Sequence, residues 1–137
     1  MAYGPATTQD ATTERDLSCS EHTPAFDAAE FNELNEMIGE DGVLEMVEIF
    51  ETETRLRLAR LRAQDQDLPT QVREMHTLKG AAATVAAPRL AALGRTFEHA
   101  ASVGTAYTPD DVRTIADALE DYLTEVRAWS MHDAPVT

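Results

Sequence analysis

Apolar residues recur at intervals of three and four along four stretches of this chain, which is the period of an amphipathic α-helix. These stretches cover residues 41–63, 69–86, 88–103 and 108–129. No segment alternates apolar and polar residues as a strand does, and no hairpin dipeptide joins two apolar runs. Because the breaks between the stretches are short, the sequence predicts an all-α fold, an antiparallel up-down four-helix bundle.

A shorter helix is predicted before the bundle. Asp27 and Glu30 have the spacing of a capping box, and Gly39 suits a helix end. We expect this helix to cap one end of the bundle, with four residues on its inner face: Phe31, Leu34, Met37 and Ile38. The chain then divides into a flexible polar leader with a short helix near 12–18 (1–25), the bundle (26–130) and a tail (131–137). Met1 and the polar leader favour a complete protein.

The charge of the chain excludes several classes of partner. Eleven basic and twenty-five acidic residues give a net charge of -14, so nucleic acids and anionic membranes would repel it. No apolar run approaches the roughly 20 residues that span a bilayer, and no secretory signal is visible. Cys19, the single cysteine, cannot form an intrachain disulfide. We therefore expect a cytoplasmic protein, and a monomer because its acidic surface repels further copies.

The stretch 69–86 combines a histidine, a lysine and a glycine. Lys79 is the only lysine in the chain, and Gly80 costs a helix about 1 kcal/mol relative to alanine. On a projection of about 100° per residue, the inward side holds Met75, Leu78, Ala82 and Val85. Within about 60° of His76 on this projection lie, among others, Val72, Lys79, Gly80 and Ala83. The pattern predicts that His76 is exposed, on a face lined by small residues.

An exposed histidine with a lysine and a glycine beside it is suited to phosphoryl transfer. Imidazole ordinarily titrates near pH 6.5, so much of it is a neutral nucleophile at pH 7. Lys79, one turn from His76, can reach the phosphoryl oxygens, and Gly80 leaves room for a partner protein. The sequence has no glycine-rich phosphate loop and no Walker-type lysine, so we expect no phosphorylation from ATP without a partner.

The segment His76-Thr77-Leu78-Lys79-Gly80-Ala81-Ala82-Ala83 resembles the hallmark of the histidine-containing phosphotransfer (HPt) domains of multistep phosphorelays. The similarity extends from about Phe26 to Val126 and includes the pair Phe97-Glu98. It implies a four-helix bundle in which His76 is phosphorylated, Lys79 supports the phosphate and Gly80 permits docking. The implied partners are response-regulator receiver domains and a hybrid histidine kinase, with Mg²⁺ on the receiver and no cofactor on this chain. The chain departs from the family's pattern at Met75 and at Ala86 or Ala87, which leaves partner choice open.

Other polar residues are assigned weaker roles. The arginines between 55 and 62 are interpreted as a solvated face with two intrahelical pairs, Glu51–Arg55 and Glu53–Arg57. A second hypothesis is that Arg55 and Arg62 also steer the docking of a receiver domain. The residues predicted to bind this partner are therefore Val72, Gly80, Ala83, Arg55 and Arg62. His99 is interpreted as solvated. Cys19 and His22 are interpreted as incidental, and no metal site is predicted.

Three alternative functions remain open from the sequence. The chain could be a helical scaffold in which His76 is only a surface residue. It could also be the phosphotransfer domain of a hybrid or chemotaxis-type kinase, cut from a longer protein. A dimeric histidine-kinase core fits less well, since such cores depend on an acidic residue directly after the histidine, and Thr77 stands there.

Overall fold

The computed structural model describes residues 22–63 and 66–132, and this part of the chain contains helices and no strand. The helices are α1 (Ala28–Ala63), α2 (Leu68–Thr84), α3 (Pro88–Ser102) and α4 (Pro109–His132). The prediction of an all-α bundle is confirmed. The predicted helix near 12–18 lies outside the described residues.

Hydrogen bonds between the ends of α1 and α4 show that these two helices are antiparallel. Near the start of α1, Asn32 Oδ1 accepts from Trp129 Nε1 at 2.8 Å, close to the end of α4. Near the end of α1, the Leu61 carbonyl accepts from the hydroxyl of Tyr107, two residues before α4, at 2.7 Å. Each helix packs against two neighbours, α1 against α2 and α4, and α3 against α2 and α4. The bundle is therefore a ring in which α1 and α3 are diagonal.

Gly39 divides α1 into a short and a long helix, as predicted. Its backbone is non-helical, with φ 84° and ψ 162°. In the short helix, Phe31 is buried and packs edge-on against Trp129, with ring centroids 4.8 Å apart. The prediction that Met37 and Ile38 face inward is wrong, because they are 75% and 46% exposed. Met37 lies about 120° from Phe31 around the helix, and Ile38 lies at the kink, over Gly42.

The core confirms the helical register that the apolar spacing predicts. In the long helix of α1, after Gly39, Leu44 belongs to the apolar spacing of three and four but is half-buried rather than buried. The buried residues at this spacing include Val43, Val47, Phe50, Thr54, Leu58, Leu61, Met75, Leu78, Ala82, Val85, Leu90, Leu93, Phe97, Ala100, Ala101, Val112, Ile115, Leu119, Tyr122, Leu123 and Val126. The hydroxyl of fully buried Tyr122 donates to the Val85 carbonyl at 2.7 Å, and burial raises its pKa. This bond joins α4 to the end of α2.

The ends of α2 are fixed by local chemistry. Asp67 caps its start, since the carboxylate accepts from the Thr70 amide at 2.9 Å. The Thr70 side chain first, and then its amide, lower the pKa of Asp67 by hydrogen bonding. At the other end Val85 is the cap residue, and Ala86 follows with φ 61°. Glycine would adopt this left-handed conformation at lower cost, so the departure from the HPt pattern noted at Ala86 falls on the turn itself. The tight turn returns the chain directly into α3, alongside α2.

The arginines of α1 serve partly to hold α2. Arg55 pairs with Glu51 at 2.9 Å, as predicted. The predicted pair Glu53–Arg57 is wrong, because Arg57 Nε bonds Glu74 Oε1 of α2 at 2.9 Å. Arg60 bonds the other oxygen of the same carboxylate, also at 2.9 Å. A nearly buried carboxylate satisfied by two guanidinium groups is a stronger partner for Arg57 than an exposed glutamate.

Replacing Glu74 by glutamine is expected to destabilise the bundle by about 1–3 kcal/mol at pH 7, because two arginines lose their counter-charge. Hydrogen bonds from Arg60 first, and then from Arg57, lower the pKa of Glu74 from 4.5 to about 2. The contribution of ionised Glu74 to the free energy of unfolding is therefore fully present above pH 4.5 and is lost as the pH falls through about 2. Urea unfolding of wild type and Glu74→Gln between pH 7 and pH 2 checks this, with exposed Glu53→Gln as the matched control. If the difference in free energy of unfolding between wild type and Glu74→Gln stayed constant from pH 7 to pH 2, ionised Glu74 would not be its source.

The described residues just before α1 are attached to the bundle. The Thr23 carbonyl accepts from Arg89 Nε at 2.9 Å, and the Pro24 carbonyl accepts from the Arg89 amide at 3.1 Å. Thr23 and Pro24, within the predicted leader 1–25, are thus tied to the start of α3. Among the helices described, none has the length and apolar character needed to cross a membrane.

Candidate functional site

The site is built on the outer face of α2, around His76. The His76 side chain is 66% exposed, whereas Met75 and Leu78 on either side of it are buried in the core. The helix turns about 100° per residue, so a local pattern of apolar residues is enough to hold His76 outward. The prediction of an exposed histidine is confirmed.

Glu98 of α3 joins His76 to Lys79. Its Oε2 lies 3.0 Å from His76 Nδ1, and its Oε1 lies 2.8 Å from Lys79 Nζ. The hydrogen bond from Lys79, followed by that from His76, lowers the pKa of Glu98. The carboxylate is therefore ionised at neutral pH, and it forms an ion pair with Lys79.

The contact with Glu98 determines which imidazole nitrogen is nucleophilic. An ionised carboxylate only accepts hydrogen bonds, so Nδ1 of His76 must carry the proton in this contact. In neutral imidazole the other nitrogen, Nε2, then has a free lone pair. Because the ring is largely exposed, a reaction partner can approach Nε2 from solvent.

Gly94 permits the close approach of α3 to α2 that brings Glu98 to His76. A Cβ atom at position 94 would lie 2.9 Å from the Lys79 amide nitrogen and 3.0 Å from the Met75 carbonyl oxygen. Both contacts are to backbone atoms, so only movement of a whole helix could relieve them. A side chain at Gly94 would therefore separate the two helices beside the site.

The predicted docking residues on α2 surround His76. Gly80 is exposed, and a Cβ atom there would meet nothing within 4 Å. Ala83 is exposed and Val72 is half-buried, both on the His76 side of the helix. Packing within this chain therefore gives no reason for glycine at 80, and toward the end of α2 the surface beside the histidine carries the small residues Gly80 and Ala83.

The structure does not bring the predicted docking arginines to this face. Arg55 bonds Glu120 of α4 at 2.8 Å, so it lies on the α1–α4 side of the ring. Arg62 borders a cavity of about 640 Å³ with Tyr107 and Arg113, where α1 ends and α4 begins. The steering role of Arg55 and Arg62 stays a prediction.

Sequence reasoning missed two residues of this site, Glu98 and Gly94. Glu98 entered only as half of an aromatic–acid pair, and Gly94 was not singled out. A glycine inside the apolar-periodic stretch of α3 was an available signal for a close helix contact. No residue pattern within α3 alone gives the distance from Glu98 to His76. His99, next in the chain, is exposed as predicted.

Among the described residues, no three His, Cys, Asp or Glu side chains are grouped as a metal site would need. Cys19 lies outside these residues. The sequence model of one protein family, described as the Hpt domain, matches residues 45–129, which is more than half of the chain. Comparison with curated proteins and with solved structures gives no significant match. The matched segment contains the whole of α2 and α3, and therefore His76, Lys79, Gly94 and Glu98.

Proposed function

This chain belongs to the Hpt domain family, whose members carry out histidine phosphotransfer in two-component systems, and we propose that it is a phosphorelay carrier phosphorylated on His76 Nε2. In this role it receives a phosphoryl group from the phosphorylated aspartate of one receiver domain and passes it to another. Hpt domains interact with receiver domains and histidine kinases. We propose such partners here and place the exchange in the cytoplasm.

The observation that carries the proposal is the contact between Glu98 and His76 Nδ1. With the proton held on Nδ1, the Nε2 lone pair can attack phosphorus directly and no base is needed to remove a proton. A P–N bond forms, the P–O bond to the donor aspartate breaks, and the aspartate leaves as a carboxylate. The attacked ring becomes cationic, and Glu98 stabilises that charge through the same hydrogen bond.

Lys79 provides the charge that the incoming phosphoryl group needs. Its ammonium lies 2.8 Å from Glu98 and is about one helical turn from His76. Phosphoryl transfer depends mainly on positioning and on stabilising charge at the equatorial oxygens. We propose that Lys79 contacts those oxygens while Glu98 keeps the imidazole oriented. The chemistry that activates the aspartyl phosphate, including the expected Mg²⁺, belongs to the receiver domain.

The test uses a panel of receiver domains, each charged on its aspartate with radiolabelled phosphate and incubated with the wild-type chain. We expect label on the chain that is lost in acid and retained in alkali, as phosphohistidine is and an acyl phosphate is not. ATP alone should give no label. Labelling by ATP alone would overturn the carrier assignment, and no label from any receiver would favour a helical scaffold without chemistry.

Replacing Glu98 by alanine is expected to slow transfer by on the order of tenfold. Groups that orient a metal-bound histidine through its second ring nitrogen contribute about 10- to 100-fold, and this value is at the lower end of that range. Removing the carboxylate leaves His76 Nδ1 without its acceptor, so part of the population shifts its proton to Nε2. Nitrogen-15 chemical shifts of the imidazole check this directly, with Nδ1 protonated in the wild type and a mixture in Glu98→Ala. Asp117→Ala, on exposed α4 surface, is the control. An unchanged tautomer would show that Glu98 does not set it.

A further inference from the structure

The charges of this acidic protein are distributed unevenly over its four helices. Most of the twenty-five acidic residues lie in α1 and α4. The pair α2–α3 contains only two carboxylates, Glu74 and Glu98, and both are already bonded to basic residues. The half of the ring that carries His76 is therefore the least negative part of the described surface.

Two arginines on this half form no ion pair with the carboxylates of α2 and α3. Arg73 of α2 donates to the neutral hydroxyl of Thr70 at 3.1 Å, and Arg95 of α3 is exposed. Within 22–63 and 66–132, neither forms an ion pair, whereas Arg89, on the same pair of helices, bonds Asp121. Arg73 lies close enough to Asp67, the cap residue of α2, to help lower the pKa of that carboxylate, but it forms no ion pair with it, so both arginines extend positive charge toward solvent.

Helix geometry places these arginines on opposite sides of His76. Arg73 precedes His76 by three residues, so it lies on the same face, one turn toward the start of α2. Arg95 precedes Glu98 by three residues on α3, and it follows Gly94, which contacts the backbone of Lys79. Arg95 therefore lies across the helix pair and toward the end of α2, on the other flank of the histidine.

We propose that Arg73 and Arg95 form an electropositive rim that steers the anionic, aspartyl-phosphate-bearing surface of the partner onto His76. This inference rests on the proposed function and names the surface through which it operates. The partner's phosphoryl group and its aspartate are both negative, and α1 and α4 repel them. A local positive rim on an otherwise acidic protein raises the association rate and selects the docking face.

The test compares two double charge reversals that change the net charge equally. Arg73→Glu/Arg95→Glu removes the rim. Arg113→Glu/Arg127→Glu makes the same change on exposed positions of α4. The second-order rate of transfer from a charged receiver domain is measured at about 10 mM and about 1 M salt, where charges are screened beyond about 30 Å and about 3 Å. Thermal unfolding checks that both variants are folded.

We expect the rim variant to transfer about tenfold more slowly than wild type at low salt and to approach it at high salt. The α4 control should lose much less of the transfer rate at low salt. Equal losses in both variants would overturn the proposal, because only net charge would then matter, and a loss independent of salt would overturn it too. If the wild type accepted no phosphoryl group from any receiver, the proposed function itself would be refuted. If the wild type were labelled and the rim variant transferred at the same rate, only the role of the rim would be refuted.

Discussion

Replacing His76 by glutamine is expected to abolish phosphoryl acceptance from every receiver domain that labels the wild type. Glutamine is similar in length, and its amide can donate to Glu98, so the contact between α2 and α3 is kept. The amide nitrogen has no available lone pair and cannot form the P–N bond. The loss should therefore be complete in transfer and small in stability, within about 0.5 kcal/mol, as for other exposed substitutions.

His99→Gln is the matched control for this experiment. His99 is also an exposed histidine and is adjacent to Glu98 in the chain, but Glu98 bonds His76 and not its neighbour. We expect full labelling of His99→Gln with the same acid lability as the wild type. If His76→Gln kept acid-labile label and lost it when His99 was also replaced, the phosphoryl acceptor would be His99 of α3 and not His76 of α2.

The second large effect is expected at two glycines, where the same substitution should change stability in opposite directions. Gly94→Ala should destabilise the bundle by about 1–3 kcal/mol, because the added methyl group meets the backbone of α2 at 2.9–3.0 Å. Gly80→Ala should stabilise it by up to about 1 kcal/mol, because the methyl group meets nothing and alanine favours the helix. Chemical denaturation of both variants measures the two signs.

Phosphoryl transfer separates the functional roles of these glycines. Gly94→Ala should slow transfer by moving Glu98 away from His76 and Lys79, which imidazole nitrogen shifts would detect. Gly80→Ala should keep that contact and slow transfer only by obstructing the partner, with an effect that increases from alanine to leucine at position 80. If Gly80→Leu transferred as fast as wild type, Gly80 would have no part in docking. A stable Gly94→Ala would mean that the two helices can separate at little cost.

The sequence by itself determined most of what depends on one helix at a time, with Met37 and Ile38 as exceptions. The apolar spacing predicted the four long helices, and Gly39 predicted the break in α1. The same spacing placed His76 outward and Met75 inward, since residues three and four apart share a face regardless of what lies opposite. The sequence motif also predicted the family that the matched segment confirms.

Sequence reasoning failed within α1 at the kink and where a side chain bonds to a second helix. Ile38 lies on the apolar side of its helix, but the kink at Gly39 leaves it over Gly42 rather than in the core. Arg57 has an intrahelical glutamate available, yet it turns to Glu74 of α2. A carboxylate shared with Arg60 and shielded from water binds it more strongly than an exposed neighbour does.

Only the tertiary structure decided which residues of α3 meet His76. The register between two helices is set by the turn at Ala86 and by how closely the helices approach at Gly94, and neither can be read from the period of either helix. That register puts Glu98 against His76 Nδ1 and so selects Nε2 as the nucleophile. It also puts Arg95, one turn before Glu98 on α3, on the same helix pair as the histidine. The nucleophile is a property of local sequence, whereas its proton and its charged surroundings come from the packing of α3 on α2.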